Sequence, residues 1–194
     1  MLLFRQLVFG CILFVAASLA GPQRLDPTLV RLHAVLLPRT VLLDYDFGSK
    51  LINQKIVITV YYQKEMRQDA EFFEYAVGAA YPSGVIGYQI EVALQEYGKG
   101  CGPLSTAIFL LPTKSGDIQE YAKCAAQDGI LSFAYNSGDL GYGAAVSLLV
   151  GEHTRPLVNL DALSSSKLQM RGALLKMGKI YKGYPGTKNI DSRE

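Results

Sequence analysis

Three short runs in this chain are apolar on both faces, and they limit the fold more than any other feature. Lys55-Ile56-Val57-Ile58-Thr59-Val60-Tyr61-Tyr62 is rich in β-branched residues and does not alternate with polar ones. Thr106-Ala107-Ile108-Phe109-Leu110-Leu111 and Ile130-Leu131-Ser132-Phe133-Ala134 repeat the pattern. A strand of this kind needs cover on both sides, which is the situation inside a parallel sheet flanked by helices. The segments between the runs supply that cover. From Met66 to Ala80, Arg67, Asp69, Glu71 and Glu74 mix with Phe72, Phe73, Tyr75 and Ala76, as in an amphipathic helix packed on a sheet. Ile118 to Gln127 reads as a second such helix, closed by Asp128-Gly129.

Further elements follow from the same reasoning. Asp26-Pro27 is a helix start, a capping side chain followed by proline at the first helical position. Leu29, Leu32, Val35 and Leu36 then recur at helical spacing, and Pro38 is expected to kink or split that helix. Val85 to Leu94 is strand-like. Ala144 to Val150 and Pro156 to Asn159 read as a hairpin turned around Gly151-Glu152, with helices expected over 160–167 and 172–180. The alternation predicts an α/β, single-domain, three-layer sandwich: a mainly parallel sheet, helices on both faces and a C-terminal antiparallel hairpin. A chain of 194 residues has room for one such domain.

The first twenty residues stand apart. Arg5 precedes the apolar run from Leu7 to Ala17, and Ser18-Leu19-Ala20 offers small residues just before Gly21-Pro22. This is the pattern of a secretory signal, short for a membrane span and broken by Pro22. Residues 1–20 are thus expected to be a cleaved signal peptide, 21–182 the folded domain, and 183–194, which contain Gly183, Pro185 and Gly186, a polar tail. No later segment approaches membrane-spanning length, so the mature chain is expected in the periplasm without a membrane span.

Composition narrows the function. Nineteen Lys+Arg against 17 Asp+Glu leave a formal charge of only +2, so nucleic acid is not an expected partner. Three cysteines and two scattered histidines provide no zinc ligand set, and no metal or cofactor is expected. There is no Gly-x-Ser-x-Gly elbow, no phosphate loop ending in Gly-Lys-Ser/Thr and no Gly-x-Gly-x-x-Gly after the first strand. His33 and His153 lack partners at ligand spacing and read as structural. Asp44 and Asp46, close together in a turn, read as solvated or capping carboxylates. The chain is therefore not expected to be an enzyme.

Two loops carry a binding hypothesis. Pro112 to Asp117 joins a buried strand to a helix, where Thr113, Lys114 and Ser115 gather donors at a positive helix end suited to an anionic ligand. Asn136 and Ser137 follow the next buried strand and belong to the same edge of a parallel sheet, where open α/β folds bind ligands. The alternative is that both loops only turn the chain and cap a helix. After removal of the leader, with Cys11, the remaining thiols are Cys101 and Cys124. In an oxidising compartment they are expected to pair, closing a loop worth roughly 3 kcal/mol; the alternative is two buried free thiols.

The carboxy-terminal third has a recognisable order. Gly143-Ala144-Ala145-Val146-Ser147-Leu148-Leu149-Val150-Gly151-Glu152 is followed by Pro156-Leu157-Val158-Asn159-Leu160-Asp161-Ala162-Leu163. Then comes Leu168-Gln169-Met170-Arg171-Gly172-Ala173-Leu174-Leu175-Lys176-Met177-Gly178-Lys179-Ile180. This resembles the closing segment of the YfiR family: an apolar strand, a short turn, an Asn-Leu-Asp-Ala helix start and a final Leu-Leu-x-(Leu/Met)-(Ala/Gly)-(Arg/Lys)-Ile helix. The opening helix and the strand at 55–62 are similar in order. Two departures stand out: Asp44-Tyr45-Asp46-Phe47 occupies the place of a Trp-Pro, and Met170-Arg171-Gly172 replaces Ile-Ser-Ser. The resemblance implies a periplasmic, non-enzymatic regulator that binds the outer part of an inner-membrane diguanylate cyclase or similar sensor and holds it inactive, a hold tuned by redox state and homodimer formation. It carries over no contact residue. The competing expectation is a periplasmic solute-binding protein using the loops at 112–117 and 136–139, although one lobe is short for the usual two-lobed binder.

Overall fold

The computed structural model describes residues 24–102 and 104–182; the leader expected at 1–20 and the tail expected at 183–194 lie outside the described residues. Helix α1 spans Pro27–Val41, and the Asp26 carboxylate caps it by accepting from the Thr28 amide at 2.7 Å and the Leu29 amide at 3.3 Å. Pro38 does not split it. The buried stripe Val30, Ala34, Leu37 and Val41 binds both halves to the sheet, and the Thr40 hydroxyl donates to the Leu36 carbonyl at 2.8 Å. Packing outweighs the one backbone hydrogen bond that proline removes.

The chain continues through β1 (Lys55–Tyr62), α2 (Arg67–Ala80), β2 (Gln89–Glu96), β3 (Ala107–Leu110), α3 (Ser115–Asp128) and β4 (Leu131–Ala134). It ends with β5 (Val146–Leu149), β6 (Arg155–Val158), α4 (Leu160–Ser165), α5 (Gly172–Met177) and β7 (Lys179–Ile180). The seven strands line up as β2-β1-β3-β4-β5-β6-β7. All neighbours run parallel except the β5–β6 hairpin. Contact between β4 and β5 is brief, with Phe133 opposite Val146 as its one register pair.

Two boundaries differ from the sequence expectation. Strand β2 starts at Gln89 because residues 85–88 form a tight turn, with Val85 and Tyr88 exchanging backbone hydrogen bonds. Gly84 leads into it at φ +78°, where a Cβ would lie 2.1 Å from the Tyr88 carbonyl oxygen. The final helix stops at Met177 instead of reaching Ile180. Gly178 packs against the Leu174 and Pro156 carbonyls, and the chain then extends beside β6 as β7.

Helices cover both faces of the sheet. On one face α1 and α2 bury Leu37, Phe73, Ile58, Val60, Phe109 and Phe133 in the larger core. On the other, α3 presents Ile118, Tyr121, Ala122 and Ala125 to Tyr61, Ile108, Leu110 and Ala134. His33 is fully buried in the first core, with its ring centroid 5.1 Å from that of Phe109 and 5.2 Å from that of Tyr135. Burial drives its pKa down to about 3, against the opposing effect of the Tyr135 backbone. Asp44 also departs from expectation: it is buried rather than solvated, pairs with Lys50 and accepts from the Asp46 amide at 3.1 Å.

Candidate functional site

A strand order of 2-1-3-4-5 places the reversal of winding between β1 and β3, and the crevice beyond the carboxyl ends of those strands is where open α/β sheets hold ligands. Both loops singled out from sequence reach this edge. Thr113 follows β3, Lys114 precedes the first turn of α3, and Ser115 opens that helix. Asn136 precedes a 3₁₀ turn over Ser137–Tyr142 just after β4.

Their polar groups are largely turned on one another. The Gln63 side-chain amide, from the end of β1, donates to the Thr113 hydroxyl at 2.7 Å. That hydroxyl donates in turn to the Asp117 carboxylate at 2.5 Å. Lys114 and Ser115 are exposed, and neither the Lys114 nor the Asn136 side chain caps the helix behind it. Instead the Asn136 amide supports the Asp139 carboxylate. Asp139 is 9 % exposed and its Oδ2 has no hydrogen-bond partner, so burial pushes the carboxyl up to about 6 against the opposing Asn136 bond.

Tyr97 reaches the same edge from the end of β2. It follows β2, its amide donates to the Tyr62 carbonyl at 2.9 Å, and its hydroxyl donates to the Leu111 carbonyl at 2.8 Å. Burial raises its phenol pKa above the ordinary range, and the Asp139 and Asp117 charges add to the rise. Polar groups of Gln63, Tyr97, Thr113 and Asp117 at the switch point are thus bonded within the protein. Sequence reasoning missed Tyr97 and Gln63, since each follows a strand without belonging to any motif.

The larger cavities lie elsewhere. One of about 910 Å³ opens between α3 and α4, reaching Lys123, Leu140, Tyr142, Asp161 and Tyr181. Another, of about 570 Å³, lies on the α3 face beside Tyr61, Ile108 and Tyr121. Cys101 and Cys124 stand at disulfide distance on the rim of the second, their Cα atoms 6.3 Å apart, joining the segment after β2 to α3. They are not a pair of buried free thiols. Among the described residues, no three His, Cys, Asp or Glu side chains gather to hold a metal ion, and no helix is long and apolar enough to cross a membrane.

These features define an α/β sandwich with an almost entirely parallel sheet. No family model and no curated protein matches the chain. Among solved structures it is similar to a conserved domain protein from Vibrio cholerae O1 biovar El Tor, at TM-score 0.52 and 14 % identity, over 81 % of this chain and 61 % of that one. It also aligns with an ABC domain in complex with L-Trp from Streptococcus pneumoniae, at TM-score 0.44 and 10 % identity, over 73 % of this chain and 60 % of that one. The chain thus spans about three-fifths of the length of each. At 14 % identity the first likeness is one of fold.

Proposed function

We propose that this chain is an exported, non-enzymatic regulator that works by binding another protein, the periplasmic part of an inner-membrane signalling protein such as a diguanylate cyclase. The observation that carries this reading is the character of the last two elements. Leu175, Met177 and Ile180, on α5 and β7, are 44, 54 and 42 % exposed. Strand β7 ends the sheet, and its outer edge is unpaired among the described residues. Exposed apolar groups beside an open strand edge favour attachment of a protein partner, by strand addition and burial of hydrophobic area. These residues also lie within the 143–180 segment that resembles the YfiR family, whose members act by contact. Engagement of the Thr113 hydroxyl by Gln63 and Asp117 weighs against solute capture at the 112–117 loop.

The test is genetic. Deleting the gene is expected to raise cellular cyclic di-GMP and biofilm formation, and only a version carrying the leader should restore them. Unchanged levels in the deletion strain would sink the regulatory reading.

A further inference from the structure

The connection from β2 to β3 passes over β1, a crossover that parallel sheets usually fill with a helix. Here the described residues between 97 and 106 contain no helix. Tyr97 packs with the α3-side core, so this connection runs on the α3 face. It stands as an arch on side chains. The Tyr61 hydroxyl accepts from the Gly102 amide at 2.7 Å, and the Tyr121 hydroxyl accepts from the Gly98 amide at 2.9 Å. Thr59 and Ser105 hydroxyls meet at 2.6 Å beneath it, and the Cys101–Cys124 link ties it to α3. What remains under the arch is the cavity of about 570 Å³, within the range that holds small molecules.

Its walls have a definite chemistry. Tyr61 and Tyr121, both nearly fully buried, form an aromatic corner with ring centroids 4.4 Å apart, and Ile108 lies beside them. The Tyr61 hydroxyl serves as an acceptor for Gly102, and its own proton has no acceptor among the described residues. Charge at the rim is balanced: the Lys50 ammonium is held by Asp44, and exposed Lys167 and Asp128 carry opposite signs. A chamber with aromatic walls, buried hydroxyls from Tyr61, Tyr121 and Ser105, and no net charge selects a particular kind of guest. We propose that this cavity binds a small uncharged ring compound bearing one hydrogen-bond-accepting oxygen, seated against Tyr61, Tyr121 and Ile108 with that oxygen on the Tyr61 hydroxyl. This site is independent of the partner-binding reading, and its test uses only the purified chain.

The experiment titrates the oxidised protein with 2-acetylnaphthalene and with 2-ethylnaphthalene, which lacks the acceptor, following backbone amides by NMR. Saturable shifts are expected at Gly102, Ser105, Ile108 and Cys124, with the acetyl compound bound about fivefold more tightly, the worth of one net hydrogen bond. Tyr61→Phe should bring the two affinities together, and this ratio is the readout because the same change also frees the Gly102 amide. Ile108→Trp, which fills the chamber, should abolish both. If that variant does not fold, the wild-type disulfide provides the second measurement: dithiothreitol should reduce it several-fold more slowly when 2-acetylnaphthalene saturates the protein, because both cysteines line the cavity. Absence of saturable shifts at these amides, shifts centred on another region, or equal affinities in the wild type would overturn the proposal.

Discussion

The Tyr97 hydroxyl donates to the Leu111 carbonyl, and this one contact spans β1 to link the ends of β2 and β3 where the sheet changes its winding direction. Tyr97→Phe keeps the ring and removes the donor. Its expected cost is about 1 kcal/mol, read from the shift in the urea midpoint at constant slope. Tyr97→Ala also removes the ring and should cost about 3 kcal/mol or more. If the phenylalanine and alanine variants were equally stable, the ring would not be packed on the α3-side core.

Asp139 gives the protein a predictable pH dependence. Its folded pKa, about 6, exceeds the ordinary 3.8, so the folded state holds a proton that the unfolded state has lost. Stability from this group is therefore fully present below about pH 4 and falls as pH rises toward and through 6. Asp139→Asn should abolish that decline and stabilise the protein at pH 7 by on the order of 1–2 kcal/mol, since part of the shift is screened by solvent. Chemical denaturation of both proteins at pH 4 and pH 7 checks the sign.

Linking Cys101 to Cys124 restricts the unfolded chain over a sequence separation of 23. The double variant Cys101→Ser/Cys124→Ser should lose roughly 3 kcal/mol and melt several degrees lower. Thiol titration of the untreated native protein is expected to find neither cysteine free. Two reactive thiols would contradict the pairing.

Charge placed on the last two elements separates contact from core. Leu175→Glu and Met177→Glu alter exposed side chains and should leave the melting temperature within about 2 °C of the parent. Combined, they should weaken repression of the partner, measured as cyclic di-GMP in the complemented deletion strain. Leu174→Glu, by contrast, introduces a charge at a fully buried position and should unfold the region outright.

Much of this architecture is legible in the chain because burial on both faces leaves a plain trace. The runs at 55–62, 106–111 and 130–134 each contain a strand of the parallel sheet, and Asp26 caps α1 as its position indicates. The hairpin around Gly151-Glu152 is found where the apolar pattern reverses. Continuity through Pro38 was not legible, because the sheet contacts that outweigh proline's defect come from residues distant in sequence. The short edge strand β7 was equally hidden: Lys179 and Ile180 continue a helical pattern, and only the close approach of Gly178 to Pro156 turns them aside. At the candidate site, the loops carrying Thr113 and Asn136 could be assigned to one sheet edge. That Gln63 and Tyr97 would reach the same edge depends on strand order, which no local pattern encodes.

The single register pair joining β4 to β5 has a dynamic consequence. Everything after it, from the hairpin to β7, is held together by antiparallel pairing and by α5 packed on β6. It meets the rest of the domain through the buried side chains of Val146, Val158 and Leu174 and through the Tyr45–Gln169 and Arg171–Leu43 backbone bonds, not through a long strand ladder. Such a seam divides a domain into two cooperative units of unequal lifetime. Under native conditions the amides of β5 and β6 should exchange with solvent through a partial opening that leaves β1, β3 and β4 protected. The carboxy-terminal unit would then detach and re-form as one piece, intermittently uncovering Val146, Val158 and Leu174 together with the part of the core they share with β1, β3 and β4.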